Sequence, residues 1–163
     1  MPISQATIAE FHEKFTYNKA TGKLKSRTTL KEIGHQKKDG YVYILHNKKS
    51  YPIHRVVYAM VMGEDPPGLM DHKNGDKADN RWVNLRLVSH KENAYNAGIP
   101  KHNTSGYKGV CWHKHKKRWY SYIKMNGKTL HVGYFRTARE AARAYNRMAR
   151  KLRGEYAKVN PNT

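Results

Sequence analysis

The sequence predicts an α+β chain in two parts, and three observations carry that prediction. Residues 15–53 hold two pairs of short β-prone runs split by turn residues, and a helical stretch follows from His54 to Met62. Further on, β-prone runs at 107–113, 118–125 and 128–134 lead into one amphipathic helix. A polar segment separates the halves, and the charge is divided unevenly across it. Residues 1–100 carry 16 Lys/Arg and 10 Asp/Glu, whereas residues 101–163 carry 16 and 2, a net +14 in the smaller part. A length of 163 residues suits one ordinary domain or two small ones.

Each element has a local cause. Residues 3–14 place Ile3, Ala6, Ile8, Ala9 and Phe11 at helical spacing. The run from Phe15 to Leu24 breaks at Asn18–Gly22 and reads as a hairpin. Residues 40–46 and 50–53 read as a second hairpin around Asn47, Lys48 and Lys49. Gly63 is placed to end the helix that follows, and Asp65-Pro66-Pro67-Gly68 is a stiff loop. Ser89 and Glu92 form a capping box that starts a helix at Ser89. Pro100, His102, Asn103, Thr104 and Ser105 mark a linker at 99–106, which sets the domains at 1–98 and 107–160. In the second domain Asn126-Gly127 is a two-residue hairpin signal. Thr137 and Glu140 cap the last helix, whose stripe is Ala138, Ala141, Ala142, Tyr145, Met148, Ala149 and Leu152, with Gly154 at its end.

The formal net charge of +20 and pI of about 10.1 imply a polyanionic partner. No apolar run approaches the roughly 20 residues of a membrane span, and the N-terminus lacks a charged-then-apolar leader pattern, so no membrane role is expected. The single cysteine, Cys111, forms no internal disulfide and no Cys-based zinc site. A reducing, cytoplasmic setting follows as an expectation. A basic binding protein with no chemistry is the plain alternative.

The segment from Asp71 to Asn93 argues for chemistry. Asp71 and His72 are adjacent, a Gly75 turn follows, then come Asn80, Asn84 and Ser89-His90-Lys91-Glu92-Asn93. A neutral imidazole takes a proton from water near pH 7. Carboxylate and amide oxygens suit a hard divalent ion, which stabilises a phosphate under attack and a departing oxygen. The turn at Lys73–Asp76 lets the segments before and after it lie antiparallel, with a helix packed across them.

Asp71-His72, Asn80, Asn84-Leu85 and Glu92-Asn93 resemble the HNH nucleases in order and spacing, above all phage and intron-encoded homing endonucleases. Tyr51-Pro52-Ile53-His54-Arg55, Gly63–Gly68 and Gly40-Tyr41-Val42-Tyr43 are similar to the N-terminal part of those enzymes. The resemblance implies a ββα-metal fold over about residues 68–98 and a metal-dependent DNA endonuclease. It implies His72 as general base, and Asp71 with Asn93 as ligands of one divalent ion, magnesium or alternatively manganese. Asn84 holds the loop or orients His72. His90 is the alternative to Asn93, and His54-Arg55 either meets phosphate or packs at a helix start. His12, His35 and His46 are assigned nothing.

Residues 105–160 resemble a second family. Ser105-Gly106-Tyr107-Lys108-Gly109-Val110, Arg118-Trp119, Gly133-Tyr134-Phe135, Thr137–Tyr145 and Leu152–Asn160 look like the ethylene-response (Apetala-type) DNA-binding domain. That resemblance implies a three-stranded antiparallel sheet backed by one helix, with the sheet in the major groove of duplex DNA. Its contact positions match Lys108, Cys111 and His113, then Arg118, Tyr120, Tyr122 and Lys124, then Thr129 and His131, with Tyr145 of the helix reaching a phosphate. Trp119 is read as core. Cys111, Tyr122 and His131 depart from the usual Arg, Glu and Trp, so the target sequence does not carry over. The combined expectation is an endonuclease with one site per chain, in which a double-strand break requires a homodimer or a second encounter. A phage-encoded copy would work in the bacterial cytoplasm. The rivals are a DNA-binding protein with an inactive nuclease site and an RNA-directed nuclease.

Overall fold

The computed structural model describes residues 2–95 and 98–163 and resolves the chain into two compact units, Met1–His90 and Lys91–Thr163. The division falls at the start of a helix, whereas sequence polarity marks residues 99–106 as the linker. Within that stretch Asn103 and Ser105 form an ordered turn. Asn103 Nδ2 donates to the Tyr107 carbonyl at 3.0 Å, and Ser105 Oγ donates to the Val110 carbonyl at 2.8 Å.

In the first unit, helix α1 (Gln5–Lys14) starts at Ser4, whose side chain accepts from the Thr7 amide. Strands β1 (Phe15–Tyr17) and β2 (Leu24–Ser26) pair as the expected hairpin. A second antiparallel sheet has the order β3 (His35–Gln36), β4 (Val42–His46), β5 (Lys49–Pro52). Its tight turn puts Asn47 and Lys48 at φ 47° and 60°, the double left-handed geometry that suits a two-residue hairpin. Helix α2 (Ile53–Met62) begins at Pro52 and ends at left-handed Gly63. Val56, Val57 and Ala59 are fully buried against Phe11, Leu24, Ile44, Met70 and Leu85. This core fixes the next pair, β6 (Leu69–His72) and β7 (Leu85–Val88), in antiparallel register with Asp71 opposite Arg86 and His72 opposite Leu85. Helix α3 (His90–Tyr95), which the Ser89 capping signal predicts, begins at the last residue of this unit and belongs otherwise to the second.

In the second unit, β8 (Val110–His113), β9 (Arg118–Met125) and β10 (Lys128–Phe135) form an antiparallel sheet with β9 central. Helix α4 (Ala138–Arg153) packs on it. Thr137 accepts from the Glu140 amide as the capping box requires. The buried face of α4 is mostly alanine (Ala141, Ala142, Ala144, Ala149), which lets the helix approach Val110 and Ile123 closely. Asn160 closes the unit. Its amide donates to Asn146 Oδ1 at 2.7 Å, and its side chain bridges the Lys108 amide (2.6 Å) and carbonyl (3.1 Å). Among the described residues no helix is long and apolar enough to cross a membrane.

Gly109 is the tightest backbone approach. Its φ is 71°, and an added Cβ would lie 2.3 Å from the Tyr145 ring and 2.5 Å from the Tyr122 carbonyl. Gly109→Ala should therefore destabilise the second unit by about 2–4 kcal/mol through overpacking and backbone strain. Urea unfolding followed by tryptophan fluorescence, with Trp112 and Trp119 as reporters, measures the loss.

Candidate functional site

Between β6 and β7 the chain makes a twelve-residue excursion, Lys73–Asn84, that is tied to itself by side-chain amides. Asn84 is the hub. Its Oδ1 accepts from the Asn74 amide at 3.0 Å, and its Nδ2 donates to Asn74 Oδ1 (3.0 Å) and to the Asp79 carbonyl (2.7 Å). Asn74 Nδ2 in turn donates to Asp79 Oδ2 at 2.8 Å, and Arg81 grips the same carboxylate. These bonds hold Asp79 down to about 2, the Arg81 hydrogen bond being the largest cause. Two ties anchor the loop to the β1–β2 hairpin region: Tyr17 OH donates to the Asn80 carbonyl at 2.7 Å, and the Trp82 amide to the Lys19 carbonyl at 3.0 Å.

His72 ends β6 beneath this loop and is 2% exposed. Its Nε2 faces Asn80 Oδ1 at 3.3 Å, and Asn80 Nδ2 donates to the Ala78 carbonyl at 3.0 Å. The second bond fixes which end of the amide faces the imidazole. Oδ1 only accepts, so Nε2 carries the proton and the neutral ring keeps its lone pair on Nδ1. Burial lowers the His72 pKa from the usual histidine value, while Asn80, Asp71, Asp76 and Asp79 oppose the shift. The net result is an imidazole that is neutral, hence basic, at neutral pH.

Asp71 stands beside it on β6. Its Oδ2 accepts from Arg86 Nη2 at 2.9 Å and Nε at 3.2 Å, directly across the strand register. Both side chains are about one-tenth exposed. Such a pair is a constraint more than a reservoir of stability, because removing one partner strands the other charge in a dry site. Asn93 projects from α3 and is exposed. Among the described residues no group of three His, Cys, Asp or Glu side chains is gathered as a metal site.

Two further rings surround His72. His54, at the start of α2, meets it edge-on at 5.3 Å, and Tyr41 lies 5.1 Å from His54 and 5.9 Å from His72. Lys77 Nζ sits 4.5 Å from the Tyr41 ring centre. His54 is buried with no partner on Nδ1. Burial first, then the charges of His72 and Arg55, push its pKa down to about 3. Of the two readings open for this residue, packing beside the candidate base is what the geometry shows. Arg55 turns the other way and holds both oxygens of Asp65 at 2.8 Å.

The second unit presents one sheet face opposite α4. Cys111, His113, Arg118, Tyr120, Tyr122, Lys124, Thr129 and His131 fall on it by strand alternation and cross-strand pairing. Tyr120 is stacked with both Tyr122 (5.6 Å, 15°) and His131 (5.3 Å, 13°). Trp119 packs on the helix side, as expected for core. Lys108 and Tyr145 do not share the outer face. Lys108 precedes β8, and its Nζ donates to the Tyr95 carbonyl at 2.7 Å. Tyr145 is 2% exposed under Gly109, and its hydroxyl accepts from Arg153. Tyr134 does share the face, 4.9 Å from His131. Simple alternation misses it because the register slips between His131 and Gly133, which leaves Val132 as an extra residue. A glycine inside a strand pattern was the available signal. Asn80 as the partner of His72, and Arg86 as the partner of Asp71, had no such signal.

The buried histidine sets a pH dependence. Its folded pKa lies below the unfolded value near 6.5, so His54 contributes stability in full above that value and loses it as pH falls toward 3. The first unit should therefore weaken below pH 6.5 by up to about 1.4 kcal/mol per pH unit for this group. Thermal midpoints measured from pH 7.5 to 4.5 should fall less steeply in His54→Gln than in the native chain.

Comparison with known proteins identifies both parts of the chain. Residues 51–95 match the family model described as HNH endonuclease, and residues 105–155 match the AP2 domain. Protein 3.8 of Escherichia phage T7 is 35% identical over 106 residues, covering 64% of this chain and 87% of its own. An uncharacterized HNH endonuclease, L560, of Acanthamoeba polyphaga mimivirus is 32% identical over 125 residues, covering 76% of this chain and 64% of its own. A solved structure of the HNH homing endonuclease I-HmuI overlays with a TM-score of 0.46 at 22% identity, over 96% of this chain and 97% of that one. With the matched HNH segment enclosing Asp71, His72 and Asn84, the chain belongs to the HNH endonuclease family, joined to an AP2 DNA-binding domain.

Proposed function

We propose that the chain is a metal-assisted endonuclease that hydrolyses phosphodiester bonds of duplex DNA. The observation that carries this reading is His72, a buried, neutral imidazole whose tautomer is set by Asn80, standing next to the Arg86-paired carboxylate of Asp71. In this reading His72 Nδ1 takes a proton from a water molecule as its oxygen attacks phosphorus and the bond to the 3′ oxygen breaks. Asn80 holds the imidazole so that its basic nitrogen stays basic. Asn84 keeps the loop above it closed and acts through that loop.

The donor set fits a hard divalent ion, magnesium or manganese. Asp71 offers a carboxylate oxygen already oriented by Arg86, as ligating carboxylates are commonly oriented by a neighbouring donor, and the HNH resemblance assigns the amide oxygen of Asn93 as the other ligand. An ion bound there would stabilise charge on the attacked phosphate and on the departing oxygen. The AP2 sheet, with its basic and aromatic face, would hold the duplex. One site per chain nicks one strand, so a double-strand break would take a second copy. Relatives in a phage and a giant virus favour a viral or mobile-element origin and a host-cell cytoplasm.

Supercoiled plasmid is the substrate that tests this. The native chain should give open circles only with magnesium or manganese. His72→Ala should cut about 10²- to 10⁴-fold more slowly with DNA affinity retained. The metal-site variant should be Asp71→Asn, which keeps an acceptor for the buried Arg86, whereas Asp71→Ala would confound activity with folding. Cutting by His72→Ala at the native rate would remove His72 as the base. A mobility shift with no cutting under any metal would favour a DNA-binding protein with an inactive site. DNA affinity should fall with salt at a slope of about −0.9 per phosphate contacted.

A further inference from the structure

The second unit contains a cavity of about 480 Å³ beside the start of β8 and the β9–β10 turn. Tyr95 from α3, Lys108, Lys124, Tyr145 and Arg153 line it, with Lys91 at its edge. Among the described residues its lining includes four cationic side chains and no carboxylate.

The cations are held in an unusual way. Arg153 is 8% exposed. Its Nη2 donates to the Lys124 carbonyl at 2.7 Å, its Nη1 to Tyr145 OH at 3.2 Å, and its guanidinium lies 4.4 Å over the Tyr95 ring. Its Nε, however, is buried without a partner, and so is Tyr95 OH. Lys108 is half-buried, and its pKa is pushed down to about 8, first by burial and then by the charges of Arg153 and Lys158. A buried Arg153 and a half-buried Lys108 that repel each other, beside two donors without a partner, form a costly arrangement. An oxyanion relieves all of it at once, because it neutralises the charge and accepts from both donors.

We infer that this cavity binds the phosphate group of a nucleotide, with Arg153 and Lys108 as its cations and Tyr95 OH as a hydroxyl donor. Its volume lies in the range of about 300–1,000 Å³ typical of small-ligand pockets. That leaves room for the nucleoside attached to the phosphate, against the rings of Tyr95 and Tyr145. The phosphate belongs either to a nucleic-acid strand or to a free nucleotide. The inference is independent of cleavage.

Thermal unfolding of the full chain, at fixed ionic strength, tests it. The ligands are thymidine 5′-monophosphate, thymidine and sulfate. The monophosphate should raise the midpoint of the native chain, since a ligand of the folded state stabilises it. Thymidine should not, and sulfate should do so less. Tyr95→Phe gives up no internal hydrogen bond of the hydroxyl, so it should leave the ligand-free midpoint unchanged or higher while weakening monophosphate binding roughly 10-fold. Arg153→Lys should weaken it as well. Equal binding by Tyr95→Phe and the native chain, or an equal shift with sulfate, would overturn the inference and leave only general screening of a chain of charge +20. Displacement of the monophosphate by a 20-base-pair duplex assigns the site to a strand phosphate. Retention alongside bound duplex assigns it to a free nucleotide.

Discussion

Keeping an imidazole buried, neutral and oriented is the constraint around which the first unit is organised. A buried polar ring needs its hydrogen bonds supplied by the protein, and a base needs one nitrogen left with its lone pair. Asn80 meets the first need only because the Ala78 carbonyl prevents its amide from turning over. Asn80 in turn stays in place because its own carbonyl is held by Tyr17 and because Asn84 stitches the loop shut. The α1–α2 core lies beneath all of this and sets the β6–β7 register that brings His72 under the loop and Arg86 against Asp71.

The second unit answers a different demand. Its excess positive charge works against compaction. The unit offsets this with a close-packed alanine face on α4, the buried Tyr145 and the Asn146–Asn160 clasp. The outer face of the sheet is thereby left for display. Its rings stack on one another, so they are pre-arranged and lose little rotamer freedom when a partner covers them.

Much of this was legible in the residues. The helices at 5–14, 53–62 and 138–153 follow from spacing and caps, and the hairpins follow from their turn residues. Asp71, His72 and Asn84 stand out because adjacency and spacing limit what such a set can do. What was hidden depends on contacts between segments distant in sequence. Nothing in the neighbourhood of Arg86 says that it faces Asp71 until the β6–β7 register is known. Asn80 and Asn84 look alike in sequence, yet one meets the imidazole and the other braces the loop. Lys108 lies before β8, which begins at Val110, and strand alternation alone does not place it with Cys111 and His113. Asn84 could by sequence either orient the imidazole or hold the loop, and its side-chain bonds run to Asn74 and Asp79 in the loop.

The extra residue at Val132 has a consequence for how this surface can change. Upstream of it, His131 pairs with Tyr122, and downstream Tyr134 pairs with Tyr120, so both rings reach the same side although they are three positions apart. Deleting the extra residue would restore even alternation with Tyr134 two positions after His131 and still on the outer face. Straightening the bulge at unchanged length would instead turn Tyr134 toward the helix, put Gly133 in its place and remove the tightest ring contact on the face. A lineage can thus lose a residue here and keep its aromatic row, yet discard the row by flattening the strand without losing any. In comparing relatives, a gap placed at 132 is compatible with an unchanged aromatic surface.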